Sequence, residues 1–276
     1  MQRIRTYIYY KVNKELFTRI FNSSRFLKGI EVRAYWSKLE KYFVISDKHE
    51  TKIAPVKSRV LNYAGGFGQR YERLGKSYML DFINFDPDAL VIDIGANMGD
   101  FFYSVQIETK NPIRYIGFEP NPSDYLCLEK NAKQARNRIK VYNLALWSSE
   151  SKLKFYIDSE SASSSLIEPK RYSRIIEVTS SRLDSLIEEE IFLLKVEAEG
   201  AEPEVLLGAV KLLSKVKYIV VDVGPERGVN EEETREAVVN FLNLYQFSIA
   251  RENPGHRKTI LFRNDNYQSL TTAVSG

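Results

Sequence analysis

The chain has 276 residues, of which 43% are hydrophobic and 28% are charged, and its formal net charge is +4. These values are ordinary for a globular protein with one large domain and an extension, and they exclude a fibrous or wholly disordered chain. The single cysteine, Cys127, excludes an internal disulfide and a cysteine-rich zinc site. The sequence contains no apolar run of about 18 residues, so we expect a cytoplasmic protein without a membrane span.

The basic charge is concentrated in residues 1–33, which hold eight lysines and arginines against two glutamates. Apolar residues recur there every four positions, which predicts one amphipathic helix that ends near Gly29. The repeating residues are Ile4, Ile8, Val12, Leu16 and Ile20. We assign residues 1–60 to a basic amphipathic helical extension. It could dock on its own domain, form a homodimer, or make peripheral contact with an anionic membrane.

The next part of the chain is less regular. Tyr42–Ser46 is typical of a strand, the glycine-rich run 65–68 predicts a loop, and residues 77–85 predict a helix. A phosphate-binding loop would need lysine followed by serine or threonine after the glycines, and this pair does not follow. The glycine-rich run is therefore interpreted as a surface turn.

Strands and helices alternate from residue 89 onward. Strands are predicted over 90–94, 114–118, 139–144, 152–157, 174–179, 192–196, 217–222, 246–251 and 258–263. Helices are predicted over 100–108, 123–135, 203–215 and 231–245, and a serine-rich loop over 159–165. This order predicts an α/β fold with a doubly wound sheet and a C-terminal antiparallel hairpin. Residues 61–263 form the predicted main domain, and 264–276 a flexible tail.

The loop that follows the strand over 90–94 is the most informative segment. It has the spacing Asp93-x-Gly95-x-x-x-Gly99, and Glu119 follows 20 residues after Gly99 at the end of the next predicted strand. Glycines allow close approach of the backbone to a ligand, and an acidic residue at this place binds ribose hydroxyls. The dinucleotide pattern G-x-G-x-x-G is not formed, and a carboxylate would repel a pyrophosphate. Because a carboxylate can hold an ammonium group, the segment favours S-adenosyl-L-methionine as the cofactor.

Several charged residues lie where the strand over 192–196 meets its loop, the usual ligand position in open α/β sheets. Alternation along a strand predicts that Lys195, Glu197 and Glu199 point to one side. Methyl transfer to a hydroxyl needs a positioned base, and a carboxylate beside Lys195 would stay ionised for that role. An ion pair that only shapes the loop is the structural alternative. Asp222, at the end of the next predicted strand, is a further candidate base, and no spacing requires a metal ion.

From residue 71 to about 263 the chain resembles the FkbM-type methyltransferases. The motifs that carry the resemblance are Asp93-Ile-Gly-Ala-Asn-Met-Gly99, Gly117-Phe-Glu-Pro-Asn-Pro122, Leu128-Glu-Lys-Asn131, Asn143-Leu-Ala145, Leu183-Asp184 and Lys195-Val-Glu-Ala-Glu-Gly-Ala-Glu202. The resemblance implies a class I methyltransferase (Rossmann-like) fold and O-methylation of a hydroxyl on a sugar, glycan or related metabolite. It also implies a cofactor site that comprises Asp93, Gly95, Asn97, Gly99, Glu119, Asn121 and Ala145.

The chain departs from the family pattern at three positions. Glu197 stands where the family usually has aspartate, and Asp222 stands where it often has glutamate. Both side chains keep the negative charge, but Glu197 is longer and Asp222 is shorter by one methylene than the usual family residue. Because the two residues end neighbouring strands, the longer side chain could compensate for the shorter one. Phe102 replaces a small serine or threonine, which bears on how the methionine part of the cofactor is held.

Other functions stay open at this point. A nicotinamide oxidoreductase would need the dinucleotide glycine pattern, and a methyltransferase acting on RNA would need a basic main domain, whereas residues 34–276 are slightly acidic. This charge argues against a nucleic-acid partner. A non-catalytic S-adenosylmethionine-binding or membrane-adaptor protein would keep Asp93 and Glu119 without needing the carboxylates at 197 and 199. His256, in a predicted turn, is an alternative base.

Overall fold

The computed structural model describes residues 11–109, 111–133, 138–158 and 164–267. Its strands are Arg33–Ser37 (β1), Tyr42–Ser46 (β2), Thr51–Ala54 (β3), Leu90–Ile94 (β4), Arg114–Phe118 (β5), Ile139–Tyr142 (β6), Ala145–Leu146 (β7), Ser151–Ile157 (β8), Arg174–Ser181 (β9), Ile191–Val196 (β10), Val216–Asp222 (β11), Pro225–Arg227 (β12), Glu232–Glu233 (β13), Phe247–Glu252 (β14) and Thr259–Asn264 (β15). Its α-helices are Lys14–Phe26, Lys57–Leu61, Phe67–Ser77, Asp100–Glu108, Pro122–Ala132, Glu202–Leu207 and Arg235–Leu244. Single turns of 3₁₀ helix cover Leu80–Phe82 and Leu183–Ser185, and a longer one covers Val210–Lys215.

A seven-stranded sheet in the order β14-β15-β11-β10-β4-β5-β6 forms the centre of the molecule. Strands β11, β10, β4, β5 and β6 are parallel, and β15 runs antiparallel to both β11 and β14. The predicted doubly wound sheet with an antiparallel closing hairpin is therefore confirmed. Every residue of β4 and of β10 is buried, because helices and loops cover both faces of the inner strands.

The strand register places the candidate motifs side by side. Lys195 of β10 is aligned with Asp93 of β4, and Asp93 is aligned with Gly117 of β5. Because neighbouring residues in register point to the same face, Asp93 and Lys195 lie against each other. The carboxyl ends of these parallel strands meet at one edge of the sheet, and the loops that carry the predicted site residues leave from that edge.

The N-terminal part contains more than the predicted helix, since β1, β2 and β3 form an antiparallel sheet beside it. The prediction of one continuous helix is wrong within the described residues: Asn13 caps a helix that begins at Lys14. Its buried face carries Phe17 and Phe21, whereas Leu16 is 44% exposed. Ile4 and Ile8 lie outside the described residues.

This helix docks on its own domain. Phe17 and Phe21 share one apolar cluster with residues of β2 and β3, and the cluster also includes Met98 and Cys127 of the main domain. The Asn22 side chain bonds both backbone groups of Ala34 in β1, at 2.8 Å each. The N-terminal sheet therefore packs against the glycine loop of the main domain.

Two local predictions between residues 65 and 85 are wrong. The helix lies over Phe67–Ser77, not 77–85, and it begins within the predicted glycine loop. Gly66 precedes it with a φ of +99°, and apolar spacing places Phe67, Tyr71 and Leu74 in the core. The glycines therefore start a helix that tertiary packing stabilises, because a buried apolar face outweighs low local propensity.

Smaller differences concern the ends of elements. The helix predicted over 203–215 is divided into Glu202–Leu207 and a 3₁₀ segment, and the one predicted over 231–245 begins at Arg235. A Cβ on Gly208 would lie 2.1 Å from the Trp147 carbonyl oxygen, so the chain approaches closely where the first helix ends. Most of the predicted serine-rich loop and the tail beyond 267 lie outside the described residues. Over the described parts of the chain, no helix combines the length and apolarity needed to cross a bilayer.

Candidate active site

A cavity of about 250 Å³ opens at the carboxyl ends of β4, β5 and β10. Nine residues singled out from the sequence line it: Asp93, Gly95, Asn97, Glu119, Asn121, Ala145, Lys195, Glu197 and Glu199. Gly99 and Asp222 lie outside its wall. Gly99 begins the helix Asp100–Glu108, and Asp222 reaches the site through Arg257. The structure therefore brings the two predicted groups, cofactor-binding and catalytic, to one place.

Gly95 holds the glycine loop against the neighbouring strand end. Its φ is +73°, and a Cβ there would lie 1.9 Å from the Glu197 carbonyl oxygen. Its backbone N–H and that of Ala96 both donate to the Phe118 carbonyl oxygen at 3.0 Å. Glycine is required because two backbones approach closely and because its φ is unfavourable for other residues. Contacts within the chain explain this glycine without a ligand.

Glu119 joins the glycine loop to the helix after β5. Its two carboxylate oxygens accept backbone N–H bonds from Asn97 and Asn121, each at 2.8 Å. Asn121 caps the helix Pro122–Ala132 through its own side chain. Burial, together with the charge of Asp124, raises the pKa of Glu119 to about 8. Each oxygen keeps a further acceptor position, so the carboxylate is fixed in place and can accept from hydroxyl groups.

Lys195 is the buried cation of the site. Only 2% of the residue is exposed, and its Nζ lies 2.7 Å from Asp93 and 3.0 Å from Glu197. It also donates to the backbone carbonyl of Gly95 at 2.9 Å. Although burial opposes its charge, the carboxylates raise the pKa of Lys195, so the ammonium persists. It ties the glycine loop to β10.

Asp93 is fully buried, and the ammonium group that it holds is that of Lys195. The Tyr115 hydroxyl donates to its second oxygen. Burial raises the pKa of Asp93, and the charge of Lys195 partly offsets this. In this arrangement Asp93 anchors Lys195 at the floor of the cavity.

Among the described residues, three groups donate to the carboxylate of Glu197. The Tyr78 hydroxyl donates at 2.6 Å, Lys195 lies on the same oxygen, and Arg257 bonds the other oxygen. Burial opposes ionisation, but Lys195, Arg257 and Tyr78 hold the pKa of Glu197 well below its ordinary value. A carboxylate with so low a pKa is a weak base. Glu197 therefore stays ionised and organises the site.

Arg257 links the ends of β10 and β11. Its Nη1 contacts Glu197 and lies 2.8 Å from Asp222. Burial and the charge of Glu197 raise the pKa of Asp222 to about 6. The glutamate at 197 and the aspartate at 222 thus share one guanidinium, which gives a physical basis for their exchanged lengths relative to the family pattern.

Glu199 does not lie in a strand, although the sequence predicted that it continues the strand alternation of Lys195 and Glu197. Strand β10 ends at Val196, and the φ of Glu199 is +51°, so the prediction that Lys195, Glu197 and Glu199 share one strand face fails at Glu199. Its backbone carbonyl accepts from the Ser165 hydroxyl at 2.7 Å. Among the described residues, no group donates a hydrogen bond to its carboxylate. The loop turns this carboxylate into the cavity.

Glu226 reaches the same cavity from β12. A Cβ on Gly200 would lie 2.5 Å from Arg227 Cα, so the backbone after Glu199 lies directly on the backbone after Glu226. Burial and the charge of Glu226 raise the pKa of Glu199 well above its ordinary value. Burial, with the charge of Asp222, raises the pKa of Glu226 to about 8. The two glutamates form an acidic pair with high proton affinity.

Glu202, the last residue of the motif that begins at Lys195, supports the loop and does not line the cavity. One of its oxygens accepts from the N–H groups of Ala198 and Gly200, at 2.9 and 3.1 Å. The other accepts from the Thr234 hydroxyl at 3.1 Å. These bonds hold residues 198–200 in the conformation that presents Glu199.

The residues of the site that were missed in the sequence include Tyr78, Glu226 and Arg257. Tyr78 fell inside a wrongly predicted helix, and Glu226 follows β11 by four residues without a motif of its own. Arg257 is adjacent to His256, the proposed alternative base, which is exposed. The predicted turn was the sequence feature that could have pointed to Arg257. Of the two residues in that turn, Arg257 lines the cavity.

The sheet order, the glycine loop and the acidic residue at the end of β5 define a class I methyltransferase fold, which is Rossmann-like. Residues 93–252 match the family described as methyltransferase FkbM domain. The chain therefore belongs to this family.

Three similar proteins illustrate the relationship. The chain is 27% identical over 216 residues to AMB antimetabolite synthetase AmbE of Pseudomonas aeruginosa, covering 63% of this chain and 10% of that protein. It is 23% identical over 199 residues to 2-O-methyltransferase NoeI of Sinorhizobium fredii, covering 64% of this chain and 80% of that protein. The crystal structure of methyltransferase FkbM from Methylobacillus flagellatus superimposes with a TM-score of 0.51 at 17% identity, covering 74% of this chain and 52% of that one. The chain thus spans a tenth of AmbE and about half of the Methylobacillus protein.

Proposed function

We propose that this protein transfers a methyl group from S-adenosyl-L-methionine to a hydroxyl of a sugar, glycan or related metabolite. One observation carries the proposal: a single cavity joins Glu119, fixed as a hydroxyl acceptor, to the Glu199–Glu226 pair. The similarity to NoeI, which is named a 2-O-methyltransferase, supports oxygen as the methylated atom.

The residues around Glu119 suit the nucleoside part of the cofactor. Glu119 would accept from ribose hydroxyls, while Asn97, Asn121 and Ala145 form the surrounding wall. Arg257, which also lines the cavity, is a cation suited to the carboxylate of the methionine part. When bound, S-adenosylmethionine supplies an electrophilic methyl group on a sulfonium.

Glu199 is the residue that we assign as the base. A hydroxyl becomes a strong nucleophile only when its proton is removed as the new O–C bond forms. The proton would pass from the acceptor hydroxyl to the Glu199 carboxylate, while the S–C bond breaks and a thioether and a methyl ether result. Glu199 suits this role because its raised pKa gives it proton affinity, whereas Glu197 is held ionised by three donors. Glu226 keeps the pKa of Glu199 high and is positioned to orient the acceptor.

Incubation with methyl-labelled cofactor and fractionated cell extract tests this function. We expect the label to enter a product whose mass is higher by one methylene and whose label resists mild base, as an ether does and an ester does not. Label found only in RNA or protein would contradict the proposal. The structure of the labelled product would identify the acceptor.

We also propose that the N-terminal helix brings the enzyme to an anionic bilayer. Phe26 and Leu27, at the end of this helix, are 73% and 83% exposed. Arg19 and Lys28 line the same shallow groove as Leu27. An exposed apolar pair beside basic residues complements an anionic interface, where each basic residue adds about 1 kcal/mol.

Vesicle co-sedimentation tests this contact. The double variant Phe26→Asp, Leu27→Asp is expected to lose binding to anionic vesicles, whereas Leu39→Asp keeps it. Leu39 is a matched control because it is 90% exposed and lies in the β1–β2 turn. Equal sedimentation of all three proteins with neutral and anionic vesicles would exclude the membrane role. A fall in mass by light scattering for the double variant would identify a homodimer surface instead.

A further inference from the structure

Asp124 is a buried acid on the wall of the cavity that the proposed reaction does not yet use. It lies in the first turn of the helix Pro122–Ala132, and only 4% of the residue is exposed. Its Oδ1 atom is buried and accepts no hydrogen bond within the described residues. A buried carboxylate oxygen without a donor destabilises the fold, because burial removes its bound water and no hydrogen bond replaces that water.

The surroundings of Asp124 place it beside Glu119. Both residues line the cavity, and they flank Asn121, whose N–H is bonded to Glu119. Burial and then the charge of Asp124 raise the pKa of Glu119. Burial also raises the pKa of Asp124, and the charge of Arg59, from the helix Lys57–Leu61, partly offsets this. Two carboxylates in one buried corner repel each other until donors separate them.

We propose that Asp124 is a second acceptor for the ribose of the cofactor, so that Glu119 and Asp124 each take one hydroxyl of the cis-diol. Ribose presents two adjacent O–H donors, and two neighbouring carboxylates offer the matching acceptors. The oxygens of Glu119 are already occupied in part by Asn97 and Asn121, whereas Asp124 Oδ1 accepts no hydrogen bond within the described residues. Asp124 is thus a specificity residue that distinguishes the intact ribose from deoxy forms.

This inference rests on the proposed cofactor, and S-adenosylhomocysteine is the probe that separates the two claims. Calorimetry would compare S-adenosylhomocysteine with its 2′-deoxy and 3′-deoxy analogues on the wild-type protein, Asp124→Asn and Glu129→Gln. Glu129 is a matched control in the same helix, because its side chain is 42% exposed. Hydrogen bonds to a charged acceptor are worth about 1.5–3 kcal/mol, so loss of one weakens binding about tenfold or more.

The expected result is selective. Asp124→Asn weakens S-adenosylhomocysteine about tenfold but weakens one deoxy analogue less than threefold, because that analogue lacks the hydroxyl that Asp124 accepts. If Asp124→Asn weakened all three ligands equally, or weakened none of them, the proposed role of Asp124 would be wrong. Binding of S-adenosylhomocysteine to the wild-type protein would still support the proposed cofactor. If S-adenosylhomocysteine failed to bind the wild-type protein, that result would contradict the proposed cofactor. Thermal melting of both variants would show whether Asp124→Asn retains the fold.

Discussion

Glu199→Gln is expected to reduce the turnover number by about 10²-fold or more, while the affinity for S-adenosylhomocysteine changes little. The amide keeps the shape of the side chain but cannot take the acceptor proton, and general base catalysis typically contributes 10²–10⁴-fold. Single-turnover rates with labelled cofactor and a purified acceptor would measure the effect. Glu233→Gln, an exposed position on β13, is the control.

Glu226→Gln refines this prediction. The charge of Glu226 helps to raise the pKa of Glu199, so its removal should lower that pKa. Because the base acts in its ionised form, the acid limb of the rate profile should move to lower pH in Glu226→Gln. An unchanged profile, together with full activity of Glu199→Gln, would move the base to another residue, with Asp222 next.

Lys195→Met is expected to have the largest effect on stability. Among the described residues, the variant leaves the fully buried Asp93 with the Tyr115 hydroxyl as its one remaining partner, and removal of one partner from a buried ion pair costs about 3–5 kcal/mol. Urea unfolding would measure the free energy of unfolding at pH 7.

The double variant Lys195→Met, Asp93→Asn separates this cause from loss of packing. If the unpaired charge is responsible, the double variant should be more stable than Lys195→Met alone, since no uncompensated carboxylate remains there. Strictly additive losses would instead show that the two side chains act independently. That result would remove the basis for treating Lys195 as the anchor of the glycine loop.

The sequence predicted the parts of the fold that depend on local pattern. The segment from β4 to β5 has an apolar strand, turn glycines and a following acidic residue within 30 positions, so Asp93, Gly95 and Glu119 were identified together. The antiparallel hairpin at the end of the main domain also depends on local pattern, and it too was predicted. Resemblance to a family added Asn121 and Ala145, which carry no signal of their own.

Contacts between distant parts of the chain could not be predicted in this way. Tyr78 and Arg257 bond each other across 179 positions, and neither lies in a motif. The pairing of Glu199 with Glu226 depends on a close backbone approach at Gly200, which no periodicity reveals. The helix over Phe67–Ser77 begins among glycines because Tyr71 and Leu74 are buried by elements far away in sequence.

The most direct test of the central claim is calorimetric titration of the protein with S-adenosylhomocysteine, with NAD as the comparison ligand. We predict a Kd in the low micromolar range or tighter for S-adenosylhomocysteine and no measurable binding of NAD. Glu119→Ala should weaken the first affinity by about 1–3 kcal/mol, because it removes a buried acceptor of the ribose hydroxyls. Binding of NAD without S-adenosylhomocysteine, or an unchanged affinity in Glu119→Ala, would contradict this account of the site.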